Sequence, residues 1–92
     1  MATSRAHVYV YGRVQGVCFR AYTRRNAQLF GVKGWVKNCG DGSVEAVFEG
    51  EKAAVDNIVK WCRQGPTGAL VQRLDVCWED FAGEFDAFSI VY

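Results

Sequence analysis

Residues 7–20 read His7-Val8-Tyr9-Val10-Tyr11-Gly12-Arg13-Val14-Gln15-Gly16-Val17-Cys18-Phe19-Arg20, and the hydrophobic period changes within this stretch. Val8 and Val10 alternate with two tyrosines, which is the period of a half-buried strand. From Phe19 the spacing becomes helical. Phe19, Thr23, Ala27 and Phe30 fall on one face, and Gly31 supplies the stop. Gly12 is read as the end of the strand, so a strand, a glycine-bracketed turn and a helix follow one another directly.

Working outward, residues 34–38 (Gly-Trp-Val-Lys-Asn) and 43–49 (Ser-Val-Glu-Ala-Val-Phe-Glu) flank Cys39-Gly40-Asp41-Gly42. The Asp-Gly pair between two alternating runs is a strong hairpin signal. After Gly50, Val55, Ile58, Val59 and Cys62 recur at helical spacing. Glu51 and Asp56 lie early and Lys60 and Arg63 late, complementing the helix dipole, and Gly65-Pro66 ends the element. A strand through Leu70 to Trp78 sets Leu74, Val76 and Trp78 on one face, and Phe88-Ser89-Ile90-Val91-Tyr92 forms a last, edge strand. The order β-α-β-β-α-β predicts an α+β, ferredoxin-like α/β sandwich, two helices on one face of a mainly antiparallel sheet, with residues 1–92 as a single domain.

Half of the 92 residues are hydrophobic and 14% are aromatic, enough for one packed core. Eleven Lys and Arg against ten Asp and Glu give a net charge of +1. No global field then attracts nucleic acid or a membrane, so a charged ligand must be caught locally. Met1-Ala2-Thr3-Ser4-Arg5 leads into the first strand without an apolar leader. No run approaches the roughly 18 apolar residues of a membrane span, so the expected location is cytoplasmic. Cysteines 18, 39, 62 and 77 form no Cys-x-x-Cys pair and there is one histidine, which makes structural zinc improbable. Reduced thiols are expected, with Cys62 and Cys77 as small buried hydrophobes. No exposed apolar stripe demands a partner, and a monomer is the simplest expectation.

The chemistry is expected between the first strand and the first helix. Gly12 and Gly16 permit backbone angles that a side chain would forbid, so the chain can curl and aim unpaired amides at one point. The helix N-terminus adds a dipole that favours an anion there. The candidate phosphate-binding backbone is Gln15, Gly16, Val17, Cys18 and Phe19. Arg20, in the first helical turn, can lean back and grip two phosphate oxygens with its fixed fork of donors. Spacing alone does not separate this from an ordinary turn, and the loop lacks the Gly-Lys-Ser/Thr ending of nucleotide P-loops. Cys18 and Arg24 also satisfy the Cys-x5-Arg spacing of cysteine phosphatases, although the residues between them read as helix.

The run Gly12 to Arg20 resembles the acylphosphatase signature, and Gly34-Trp35-Val36-Lys37-Asn38 with Asp41-Gly42-Ser43-Val44-Glu45 resembles that family's second block. The likeness extends to Gly65-Pro66-Thr67-Gly68-Ala69 and to the closing strand. It implies the same ferredoxin-like fold, hydrolysis of small-molecule acyl phosphates to carboxylate and inorganic phosphate, and no metal or organic cofactor. It places the catalytic arginine on Arg20 and the water-positioning asparagine on Asn38. Cys39 departs from members that carry a hydroxyl after the asparagine. His7 is expected at the start of the first strand, on the surface and away from the loop. The terminal carboxylate of Tyr92 is a candidate partner for Arg20.

Overall fold

The computed structural model describes residues 2–92, in the order β1 (Thr3–Arg13), α1 (Phe19–Phe30), β2 (Lys33–Asn38), β3 (Val44–Glu51), α2 (Lys52–Gln64), β4 (Leu70–Glu79) and β5 (Phe88–Val91). The sheet runs β4-β1-β3-β2-β5. Its pairs are antiparallel except at one edge, where β5 lies parallel to β2 with Gly34 opposite Phe88 and Lys37 opposite Val91. The ferredoxin-like arrangement is therefore present, with β5 added as a fifth strand.

Both helices cover the same face, α1 over β2 and β5, and α2 over β1, β3 and β4. Ala6, Val8 and Val10 of β1 and Val44, Ala46 and Phe48 of β3 are buried on that face, against Phe19 and Ala27 of α1 and Val55, Ile58 and Cys62 of α2. Each large apolar side chain so buried contributes about 1.5–3 kcal/mol relative to exposure. Two ring pairs pack within the layers: Phe48 of β3 stacks on Phe88 of β5 at 5.6 Å between centroids, and Phe19 of α1 meets Trp61 of α2 at 5.5 Å.

Several local expectations change. β1 begins at Thr3 and passes through Gly12, which sits at a bulge against β4 between Tyr11 and Gly12. With φ at 128°, a Cβ on Gly12 would lie 2.2 Å from the Leu70 carbonyl oxygen, so glycine here permits close strand approach and does not terminate pairing. On α1, Phe19, Thr23 and Ala27 are buried as expected, but Phe30 at the last turn is 38% exposed. Glu51 ends β3 and caps α2, and Asp56 pairs with Lys52 one turn along, so α2 has no acid in its first turn. On β4, Val71, Leu74 and Val76 pack inward. Trp78 is half exposed, with the Lys52 ammonium 4.8 Å from its ring centre. All four cysteines are free thiols. Cys62 is buried, which pushes its thiol pKa up, but Cys77 is exposed on the opposite sheet face, beside His7 in the register.

Candidate active site

The chain leaves the sheet after Arg13, is anchored by buried Val14, and turns through residues 15–18 into α1. Gly16 and Cys18 are left-handed, at φ 76° and 60°, and Cys18 is the one non-glycine with positive φ among the described residues. Left-handed residues within such a turn are the backbone geometry that makes anion-binding concavities of successive N–H groups. Among the described residues no backbone carbonyl accepts from the N–H of Gln15, Gly16, Val17 or Cys18. Cys18 occupies the N-cap of α1 without a side-chain capping bond, and the first turn holds no acid. The positive end of α1 is therefore left uncompensated within the chain.

A cavity of about 350 Å³ opens over this turn, lined by Gln15, Gly16, Cys18, Phe19, Arg20 and Asn38. Val17 does not line it; its side chain packs against the core, leaving its main chain as the part of interest. Val14, Ala21, Ile90 and Tyr92 complete the walls, so β5 supplies one side. Arg20 is the one charged side chain lining the cavity, and no ion pair among the described residues engages it. Its guanidinium carbon lies 5.0 Å from the centre of the Tyr92 ring. The contact with Tyr92 is thus made by the ring, and the terminal carboxylate is not within ion-pair distance of Arg20. Arg24 cannot share a phosphate-wrapping loop with Cys18, because Phe19–Phe30 is continuous helix.

Asn38 ends β2 opposite Val44, and its Oδ1 is buried without a hydrogen-bond partner. An unpaired buried acceptor costs about 1–3 kcal/mol, a cost that a ligand donor in the cavity would remove. The hairpin after Asn38 is closed by Cys39 N–H donating to the Ser43 carbonyl at 2.8 Å and Gly42 N–H donating to the Cys39 carbonyl at 3.2 Å. Asp41 accepts from both the N–H and hydroxyl of Ser43, which hold its carboxyl below the usual range. The Gln15 side-chain amide donates to the Cys39 and Ser43 carbonyls, at 2.8 and 2.9 Å. Neither this bridge nor the Ile90–Tyr92 wall is readable from local sequence pattern.

His7 stands mid-strand and not at the start of β1. It lies outside the cavity, on the helix-free sheet face, with its Nε2 2.6 Å from Glu45 Oε2. The Tyr9 hydroxyl donates to the same carboxylate at 3.1 Å, and Lys37 approaches its other oxygen at 3.7 Å. Burial works to raise the Glu45 pKa, but the His7 and Tyr9 hydrogen bonds outweigh it and the net direction is down. Among the described residues no cluster of three His, Cys, Asp or Glu side chains is placed to hold a metal ion. Among the described residues no helix is long and apolar enough to cross a membrane.

Amides without a backbone acceptor, an uncapped helix start and an arginine without an ion pair surround a single hollow in this α/β sandwich. A family model described as Acylphosphatase matches residues 6–90. The acylphosphatase of Syntrophus aciditrophicus is 58% identical over 88 residues, covering 96% of this chain and 92% of that protein. Among solved structures, the acylphosphatase from Bacillus subtilis superposes with a TM-score of 0.93 at 35% identity, covering 97% of this chain and 99% of that one. That from Coxiella burnetii gives 0.91 at 32%, covering 97% and 93%. The chain belongs to the acylphosphatase family, and its relatives support the enzyme class expected above, a hydrolase acting on acid anhydrides.

Proposed function

We propose that this cavity hydrolyses the carboxyl–phosphate bond of acyl phosphates, releasing carboxylate and inorganic phosphate, without a metal or organic cofactor. The main-chain N–H groups of Gln15, Gly16, Val17, Cys18 and Phe19, with the Arg20 guanidinium, bind the phosphoryl oxygens. Asn38 orients the attacking water. The observation that carries this reading is that Asn38, whose buried Oδ1 has no partner, lines the same cavity as the uncapped start of α1 and the unpaired Arg20.

The reaction asks little more of the protein. The leaving group is a carboxylate whose conjugate acid has a pKa of about 4, so it departs without a proton and no general acid is needed. Phosphoryl transfer passes through a loose transition state with charge on the equatorial oxygens, which aligned amides and a bidentate guanidinium stabilise. The remaining requirement is a water held in line with phosphorus. The Asn38 acceptor fixes one water proton and lets the oxygen lone pair face the phosphorus, and a phosphate oxygen takes the proton released. No Asp, Glu or His side chain lines the cavity to act as an alternative base.

Residues 1–92 act as one unit and as a monomer in this reading. The partners are the acyl phosphate and the phosphate product, with no role for nucleic acid. The aromatics of the open sheet face are engaged with one another, His7 stacking on Tyr9 at 5.0 Å. The test is hydrolysis of benzoyl phosphate in the presence of a chelator, with inorganic phosphate as competitor. Turnover with competitive inhibition is expected; a requirement for added metal, or non-competitive inhibition, would defeat the proposal.

A further inference from the structure

The Gln15 side chain connects two parts of the site that are otherwise separate in the fold. Its main chain belongs to the turn before α1, and its Nε2 donates to both carbonyls that close the β2–β3 hairpin, 24 and 28 residues away in sequence. Those carbonyls are already paired, that of Ser43 with Cys39 N–H and that of Cys39 with Gly42 N–H. Both Nε2 protons are thus used on groups that gain a second donor, and the hairpin stands without them. Their effect is to fix the hairpin against the turn. Asn38 immediately precedes Cys39, so whatever locates the Cys39 carbonyl locates Asn38. The Asn38 backbone is held to β3, but its Oδ1 has no partner to orient it.

Resting on the reading of Asn38 given above, we propose that the Gln15 side chain is a positioning residue, which sets the separation between the phosphate-binding turn and the water held by Asn38. The main chain of Gln15 belongs to the phosphate side of the reaction and its side chain to the water side. A side chain of this length with two donors on one nitrogen is what the geometry requires. Methionine keeps the length and loses the donors. Asparagine keeps the donors and is one methylene short.

The experiment is a double-mutant cycle between Gln15→Met and Asn38→Ala, read as kcat and KM for benzoyl phosphate and Ki for inorganic phosphate. Misplacement of about 1 Å can cost on the order of 100-fold in rate, so Gln15→Met is expected to lower kcat by roughly 10- to 100-fold. KM and Ki should move less than about threefold, because the main-chain donors remain. In the Asn38→Ala background, Gln15→Met should cost less than about twofold more, since the group it positions is already absent. Gln15→Asn, the more conservative change, is expected to fall between wild type and Gln15→Met, and keeps the test available if the methionine variant does not fold. Full kcat in either variant beside a crippled Asn38→Ala, losses that multiply in the double variant, or a rise in KM and Ki at constant kcat would overturn the proposal alone. Normal turnover by Asn38→Ala would instead overturn the reading of the site, and this inference with it.

Discussion

The Arg20 guanidinium lies over the Tyr92 ring, 5.0 Å from its centre. A cation–π contact of this kind holds the guanidinium by charge without using its N–H donors in ion pairs, which leaves them for a bidentate grip on phosphate. Tyr92 is 97% exposed, so the contact is weak and its role is to bias the side chain toward the cavity. Tyr92→Ala, which removes the ring, is expected to raise KM for substrate and Ki for phosphate by about two- to fivefold. Unchanged values would place the control of Arg20 elsewhere.

Loss of the guanidinium itself has a far larger expected effect. Arg20→Ala should fall on the order of 1,000-fold or more in kcat/KM, comparable with other arginines that steady transition-state charge in phosphoryl transfer. Arg20→Lys should recover little, because an ammonium cannot span two oxygens in the same fork. Steady-state assays with benzoyl phosphate check both.

Asn38→Ala is expected to separate rate from binding. The water it holds contributes mainly in the transition state, so kcat should drop on the order of 100- to 1,000-fold while KM stays within about threefold. A rise in KM alone would contradict the assignment.

Far from the cavity, Glu49 is a buried carboxylate at the end of β3. It accepts from the N–H of Ala82 at 2.7 Å, from Gly83 and Glu84 at 3.3 Å, and from Arg5 at 3.2 Å. Burial works to raise its pKa, but the Ala82, Arg5, Gly83 and Glu84 donors outweigh it, so the folded value lies below the usual carboxylate range. A depressed folded pKa contributes stability that is complete above the unfolded value of about 4.3 and fades as pH falls through the folded one. Glu49→Gln should therefore destabilise at neutral pH by about 2–4 kcal/mol and flatten the acid limb of a plot of stability against pH. Urea titrations of both proteins between pH 7 and pH 3 measure this, and parallel curves would refute it.

Gly12→Ala is expected to cost about 3 kcal/mol or more, since the added methyl would meet a strand carbonyl and the backbone angle is unfavourable for an L-residue. Gly16→Ala has no such collision and should cost only about 1 kcal/mol. Thermal or urea unfolding ranks the two, and equal losses would be the wrong outcome.

Elements with a clean period were legible from sequence. Val8 and Val10 identified β1, Val55, Ile58, Val59 and Cys62 identified α2, and Asp41-Gly42 marked the hairpin. Where sequence and structure part, the cause is a neighbour distant along the chain. β1 continues through Gly12 because β4 offers a bulged partner there, and Cys77 faces outward because the register with β1 sets it on the uncovered side. At the site, Arg20 and Asn38 were named from motif likeness, and the structure brings both to one cavity. The left-handed Cys18 was not legible, as nothing in a cysteine announces positive φ. The Gln15 bridge was hidden for a related reason: its acceptors are main-chain carbonyls, which every residue possesses.

The strand order carries a kinetic consequence. β1 lies between partners that arrive late in synthesis, with Arg5 opposite both Glu49 and Glu79, and β2 joins β5 from Gly34 to Phe88. Only β2 and β3 meet across a short hairpin. Most of the ordering entropy must then be spent before distant pairings return anything, which puts refolding in the millisecond-to-second regime and makes β1 a gate on the rate.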